Sequence, residues 1–302
     1  MHIDWVIALG GAGVGFIVGL TGMGGGALMT PMLVLVFGIS PAAAVSSDLV
    51  AAMIMKPVGA GVHMRRGTVN FELVKWLVIG SVPAAFISVW ALEKFADPAR
   101  VNTIVQYAVG GALLLASLAM VAKGAFSGRR REGGMVEALT LHPARTVLIG
   151  VFGGAVVGLT SVGSGSLMMV MLMMLYPTLL ASELVGTDLV QAIPLVAAAA
   201  IAHLLFGRVE LGLTLSLVVG AVPAVYLGAR LSSRSPDHII RPILAMVLIL
   251  SGSKMLRLSN IVVGSLAVVL AGVTAVMIVR GSRQLVAAPA PSQDLTEDLT
   301  GT

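Results

Sequence analysis

Residues 19–31 read GLTGMGGGALMTP, and residues 158–170 read GLTSVGSGSLMMV. The two stretches start 139 residues apart, and each places a threonine and several glycines inside strongly apolar sequence. Glycine allows the backbone to leave a helix and a new helix to begin a few residues later. The stretches therefore predict two related halves, each with a helix that is interrupted at its glycines.

The similarity continues beyond the glycines. After a shift of one residue the offset becomes 140, and the whole match with this single shift extends over more than sixty residues. The matched positions are Asp48 and Asp188, His63 and His203, Gly67 and Gly207, Gly80 and Gly220, and Pro83 and Pro223. A single shift over this length indicates an internal duplication.

Composition places the chain in a membrane. Of its 302 residues, 57% are hydrophobic and only 11% are charged, and the mean hydropathy is +1.00. Soluble domains carry about 25% charged residues. Apolar runs of about twenty residues recur along the sequence and predict a polytopic helical membrane protein with the lipid bilayer as its partner. The alternating strands of a membrane β-barrel are absent from the sequence.

Charge and cysteine content exclude several classes of site. The net charge is +5, but the basic residues lie in short loops between apolar runs, where they signal topology rather than nucleic-acid binding. The chain has no cysteine, which excludes disulfides, thiolate metal sites and cysteine nucleophiles. The first residues lack the basic segment of a cleaved signal peptide, so we expect the first apolar run to be retained.

The apolar segments predict the helices. They lie at 5–21, 26–38, 42–63, 71–92, 101–123, 145–160, 164–176, 182–205, 211–230, 238–256 and 260–280. Segments 26–38 and 164–176 would give only about 20 Å of helix, too short to cross a hydrocarbon core of about 30 Å. We therefore predict an all-α fold in which 5–38 and 145–180 are re-entrant pairs of half-length helices. Three transmembrane helices complete each half, and one extra helix follows at the C-terminal end.

Domain boundaries follow from these segments. They are membrane repeat 1 at 1–123, a cytoplasmic linker loop at 124–144, membrane repeat 2 at 145–258, an extra transmembrane helix at 259–280 and a disordered cytoplasmic tail at 281–302.

Loop charges predict the orientation of the two halves. Arg65 and Arg66 follow the third segment of the first half, whereas Arg230, Arg234 and Arg241 lie around the loop that follows the fourth segment of the second half. The basic loop has therefore changed place, and the positive-inside rule gives the halves opposite orientations. This scheme places the N-terminus outside and the C-terminus in the cytoplasm.

Inverted repeats with matching broken helices are typical of secondary transporters, whose substrate site lies between the broken segments. Amide groups at the start of a short helix favour an anion. The predicted substrate-binding residues are Thr21, Gly24, Gly25, Gly26, Thr160, Gly163, Ser164 and Gly165. The threonines could instead satisfy backbone groups, and the glycines could simply permit close helix packing.

Four polar residues interrupt later apolar segments. Asp48 and Asp188 are predicted to line the pathway or carry protons, because a carboxylate inside a membrane segment usually marks function. They could alternatively cap helices near the membrane edge. Lys56 could hold substrate charge or extend to the interface, and Gln191 follows Asp188 by one turn.

His63 and His203 occupy matching helix-end positions, where we expect them to lie at the membrane interface. Fifteen residues separate His63 from Asp48, about 22 Å along a helix, so these side chains cannot share a metal ion. We expect no metal and no cofactor.

The paired motifs resemble one family. GFIVGLTGMGGGALMTPML, AVSSDLVAAMIMKPVGAGVHMRRGTV and GSVPAA in the first half, with GLTSVGSGSL, VGTDLVQAI, AHLLFGRVE and GAVPAVYLGARL in the second, resemble the TauE/SafE family of sulfite and organosulfonate exporters. The resemblance covers residues 5–256 and implies a bacterial inner-membrane transporter of small sulfur-containing anions. The chain departs from the family pattern at Asp48 and Asp188, where many members have a small polar residue, and at Val170, which stands opposite Pro31.

The predicted function is a secondary transporter that exports a small anion, such as sulfite or a short organosulfonate, by alternating access between the halves. Proton coupling through Asp48 or Asp188 is part of this hypothesis. An anion channel is the first alternative. A membrane-embedded serine hydrolase that pairs Ser164 with His203 is the second. The sequence leaves the oligomeric state open.

Overall fold

Long apolar runs rich in leucine, alanine and valine form helices here, because a helix satisfies its own backbone hydrogen bonds where no water is present. The computed structural model describes residues 3–21, 25–65, 69–127, 141–179, 181–231 and 237–287, and the regular structure within these ranges is helical. The helices are α1 (Trp5–Thr21), α2 (Gly26–Leu35), α3 (Pro41–Arg65), α4 (Phe71–Phe95), α5 (Val101–Ser127), α6 (Pro143–Thr160), α7 (Leu167–Leu175), α8 (Ala181–Phe206), α9 (Leu211–Leu231), α10 (Asp237–Met255) and α11 (Asn260–Ala287).

Five of these helices are long and apolar enough to cross a membrane. They lie in α4, α5, α6, α8 and α9, and shorter apolar helices are found in α1, α2 and α11. Each apolar segment of the sequence corresponds to one helix. The predicted all-helical membrane fold is therefore confirmed.

The glycine-interrupted pairs are less symmetric in length than predicted. α2 has 10 residues and α7 has 9, about 15 Å and 13 Å of helix, so both are too short to cross the hydrocarbon core. Their partners α1 and α6 have 17 and 18 residues and match the predicted segments 5–21 and 145–160, so the first member of each pair is the longer one. α1 remains helical although it contains five glycines, because leaving the helix would expose backbone groups with no water to bind them.

Helices extend past the predicted ends of the linker and past the predicted start of the tail. α5 continues to Ser127, α6 begins at Pro143 and α11 continues to Ala287. Residues 128–140 of the linker and 288–302 of the tail lie outside the described residues.

Helices from one half pack on helices from the other. α1 lies against α9, and the matching pair is α6 against α4. Glycines make both contacts close: a Cβ on Gly15 would lie 2.8 Å from the Ala221 carbonyl oxygen, and a Cβ on Gly154 would overlap the Ser81 main chain. Gly154 follows Gly15 by 139 residues and Ala221 follows Ser81 by 140, so the two contacts match residue by residue.

The centre of the molecule is built from α3 and α8, which pack on each other, while α5 packs on α10. Leu49, Leu195 and Leu217 are fully buried in this core. α11 packs principally on α10 and exposes apolar side chains such as Ile261, which is 84% exposed. Asp48 of α3 and Asp188 of α8 are buried inside the bundle.

Candidate functional site

The two glycine stretches meet where α2 begins. Gly26 lies so close to Ser161 that a Cβ on Gly26 would overlap the Ser161 carbonyl group. Ser161 belongs to the stretch 158–170 of the second half. We call this meeting of residues 25–26 with residues 161–166 the junction.

The chain leaves α6 by an unusual backbone path. Ser161 has a φ of 60°, in the left-handed region, and its N–H donates to the Val157 carbonyl at 2.8 Å. Gly163 and Gly165 follow with φ values of 120° and 102°, which residues with a side chain rarely adopt. Glycine is therefore required at both positions by conformation. Gly24, the counterpart of Gly163, lies outside the described residues.

The threonines end their helices. The Thr21 hydroxyl donates to the Ile17 carbonyl at 2.8 Å, and the Thr160 hydroxyl donates to the Val156 carbonyl at 2.6 Å. Thr160 also accepts from the Val162 N–H at 3.1 Å. Both threonines therefore satisfy backbone groups. This is the role that the sequence allowed as an alternative to substrate binding.

Asp48 is a buried carboxylate on α3. Its Oδ2 accepts a hydrogen bond from the Thr30 hydroxyl of α2 at 3.0 Å. Its Oδ1 is buried without a hydrogen-bond partner among the described residues, and it would lie 3.9 Å from a Cβ on Gly25. Asp48 is therefore far from the capping role at a membrane edge that its sequence position also allowed, and it faces the junction.

Lys56 links α3 to the junction from the same helix. Its Nζ donates to the Ser164 hydroxyl, and the two atoms are 2.5 Å apart. The ammonium interacts electrostatically with Asp188 most strongly and with Asp48 second. The half-buried Lys56 ammonium group therefore contacts the second half through Ser164 and interacts with both aspartates.

Asp188 belongs to a different network on α8. Its Oδ1 accepts from Gln191 Nε2 at 3.0 Å, and Gln191 also lies 3.2 Å from the Met168 sulfur. The Ser81 hydroxyl donates to Gln191 Oε1 at 3.5 Å. Asp188 and Gln191 are almost completely buried, so these hydrogen bonds hold the carboxylate in a fixed environment.

Matching hydroxyls next to the aspartates hold equivalent backbone groups. Ser47 accepts from the Glu210 N–H at 3.3 Å, and Thr187 accepts from the Asn70 N–H at 3.0 Å. Each bond joins one half to the start of a helix in the other.

His203 is buried and not at a lipid interface. Its Nε2 lies 2.9 Å from the Gly158 carbonyl and its Nδ1 lies 2.8 Å from the Ser46 hydroxyl. A carbonyl can only accept, so Nε2 carries a hydrogen and donates it to Gly158, while Nδ1 and the Ser46 hydroxyl share a second hydrogen bond. This ring holds α3, α6 and α8 together. The side chain of His63 lies outside the described residues.

These contacts limit the chemistry of the site. Ser164 contacts Lys56 while His203 contacts Ser46 and Gly158, so the serine–histidine pair of a hydrolase is not formed. Within the described ranges, no group of three or more histidine or acidic side chains could hold a metal ion. The junction offers hydroxyls, glycine backbone and one ammonium group, which suit a small anion.

Three polar residues of the network were not predicted as site residues: Thr30, Ser46 and Ser81. Hydroxyls are common in membrane helices, so composition does not distinguish them. A comparison of the two halves could have identified Thr30 and Ser81, because each places a hydroxyl where the other half has an apolar residue, Met169 and Ala221.

Known proteins resemble the chain over most of its length. Residues 7–255 match the family described as sulfite exporter TauE/SafE. The "Probable membrane transporter protein YjnA" of Bacillus subtilis is 40% identical over 253 residues, which is 83% of this chain and 98% of the relative. The "Probable membrane transporter protein YdhB" of the same organism is 25% identical over 229 residues, 76% of this chain and 90% of the relative. No solved structure matches significantly.

Proposed function

Because the chain belongs to the sulfite exporter TauE/SafE family of membrane transporters, we propose that it exports a small anion such as sulfite or a short organosulfonate. The observation that carries the proposal is the Lys56–Ser164 hydrogen bond at the junction of the two halves. An ammonium group there supplies the charge that an anion needs, next to glycines that let a ligand approach the backbone.

The short helices support the same ligand class. α2 and α7 begin at the junction, and neither start has a side-chain cap. Helix starts carry partial positive charge and N–H groups that bind anions. The proposed anion lies near Gly25 and Ser164, with an oxygen replacing Ser164 as the acceptor for Lys56.

The position of the site between the halves supports alternating access. Lys56 and Asp48 belong to the first half, and Ser164 and Asp188 belong to the second. A movement of one half against the other would open the site to one side and then to the other. In our proposal, protonation of one of the two aspartates is coupled to this movement.

Lys56 gives the direct test of substrate binding. We expect Lys56→Met to lower sulfite flux into proteoliposomes by at least about tenfold, because it removes a charge-assisted contact of about 1.5–3 kcal/mol. The control is Lys75→Met, since Lys75 is exposed on α4 and lies 5.5 Å from the Trp76 ring centroid. Sulfate, taurine, sulfoacetate and acetate are tested beside sulfite to define selectivity.

Three results separate the candidates. Saturable sulfite or sulfonate flux that depends on Lys56 supports the carrier. Anion flux that does not saturate and follows the membrane voltage supports the channel instead. An equal loss of sulfite flux in Lys56→Met and Lys75→Met, or no anion flux in the natural chain, would contradict the assignment of an anion as the substrate.

We also propose a bacterial inner-membrane location with the N-terminus outside and the C-terminus in the cytoplasm. The arginine-rich loops support this orientation. Reporter domains fused at either end, active on only one side of the membrane, test it.

A further inference from the structure

The two matched aspartates differ in their hydrogen bonds. Gln191 donates an amide N–H to Asp188 Oδ1 at 3.0 Å. Donors that point at a carboxylate stabilise its charged form. Asp188 is also the carboxylate with which Lys56 interacts most strongly. Asp188 is therefore equipped to remain ionised as the counter-ion of Lys56.

Asp48 lacks this support. It is fully buried, and the Thr30 hydroxyl donates to its Oδ2 at 3.0 Å. Oδ1 has no hydrogen-bond partner within the described ranges, although Ser161 lies close to the carboxyl group. Leaving a buried carboxylate oxygen unpaired is costly, and a bound proton removes the charge and most of that cost.

The surrounding helices supply few competing charges. Lys56 acts on Asp48 from α3 itself, and Asp188 and His203 belong to α8, where His203 donates to the Gly158 carbonyl. α2 and residues 161–166 contain no titratable side chain. Glu210, before α9, approaches through its backbone N–H on Ser47, and Tyr107 of α5 is 44% exposed.

We infer that Asp48 is the proton-binding residue of the transporter and that its proton binds together with the anion, so that both cross the membrane in the same direction. This inference rests on the proposed function. The proton comes from water and forms an O–H bond on Asp48 Oδ1. It leaves to water on the other side when the anion is released.

Charge balance gives the physical reason for joint binding. When both aspartates are ionised, their two negative charges and the one positive charge of Lys56 give the site a net charge of −1, which repels an anion. Protonation of Asp48 makes the three side chains neutral in sum. It also adds a hydrogen-bond donor beside Gly25, where the anion is proposed to bind.

The direction of proton movement is measured in proteoliposomes with a pH-sensitive dye inside. Methanesulfonate is used beside sulfite, because it stays ionised and any pH change then comes from the protein. We expect the lumen to acidify when either anion is driven inward. Asp48→Asn should abolish acidification while flux continues, whereas Asp188→Asn, the matched position, should slow flux and retain acidification.

Anion affinity gives a second measure. One linked proton makes the affinity of the natural chain rise with falling pH, approaching about tenfold per pH unit. Asp48→Asn should make the affinity independent of pH. Alkalinisation during anion entry, or pH dependence that persists in Asp48→Asn, would overturn the inference while leaving the transporter in place.

Infrared spectroscopy tests the proton separately from transport. The C=O stretch of a buried, protonated carboxyl group should appear on acidification and should be missing in Asp48→Asn alone. If neither anion is transported but this band is found, the proposed substrate fails and the proton site stands. If the band is missing in Asp188→Asn instead, the assignment to Asp48 is wrong.

Discussion

Gly26 shows how much a single residue decides at the junction. Its hydrogen atom faces the Ser161 carbonyl where any other residue would place a carbon atom. The Gly26 main chain begins the short helix α2, and the Ser161 carbonyl lies in the turn after α6. Neither main-chain group can therefore move without its own segment moving.

Gly26→Ala should therefore destabilise the protein by about 1–3 kcal/mol, the usual cost of adding a carbon to a filled site. The measurement is the thermal unfolding midpoint in detergent. Gly13→Ala on α1 is the matched control, because a Cβ there would meet nothing within 4 Å. Equal midpoints for the two variants would contradict the close contact between the halves.

Sequence reasoning finds site residues when a charge interrupts an apolar run. Asp48, Lys56 and Asp188 stand out in this way, and Gln191 follows from its spacing to Asp188. The Lys56–Ser164 bond could not be predicted, because it joins residues 108 positions apart and depends on how the halves pack. The burial of His203 was missed for the same reason: it requires Ser46 and Gly158 from two other helices.

At the scale of helices, hydrophobic runs located every element, and α1 and α6 are continuous helices although both contain several glycines. Helix-breaking by glycine in water reflects competition from solvent for the backbone, and this competition is absent in a bilayer. The break between α6 and α7 lies where φ is positive, at Ser161, Gly163 and Gly165. Glycine number alone does not separate packing glycines from breaking ones.

α11 is the element that the transporter should be able to lose. It lies beyond the family match at residues 7–255 and packs principally on α10. A chain ending at residue 258 should fold and retain anion flux comparable to that of the full chain. A chain ending at residue 231 is the control, because it also removes α10, which packs on α5 and should be required. Loss of a monodisperse, active protein on removal of α11 alone would show that this helix stabilises the core.

At the scale of the whole molecule, the order of helices and the matched contacts agree with the duplication, while the opposite orientation of the halves stays a prediction. Asp97 and Asp237 occupy matching positions after α4 and α9. The chain has no cysteine, so single substitutions provide unique labelling sites.

Asp97→Cys and Asp237→Cys should react with a membrane-impermeant maleimide from opposite sides of the membrane. In intact cells one variant should be labelled, and the other should require permeabilised cells. The double variant serves as the control for expression and should show both reactions. Labelling of both single variants from the same side would mean that the halves are parallel.

The exchange of partners between the halves, α1 on α9 and α6 on α4, also bears on origin and assembly. A half-length ancestor could have covered the glycine face of its first helix only against a second copy, so it must have worked as a dimer before the genes fused. During synthesis today, α1 enters the bilayer about 200 residues before its partner helix is made. The first half is therefore in the bilayer before α9 can pack on α1. Two separately expressed halves should accordingly be able to assemble with each other.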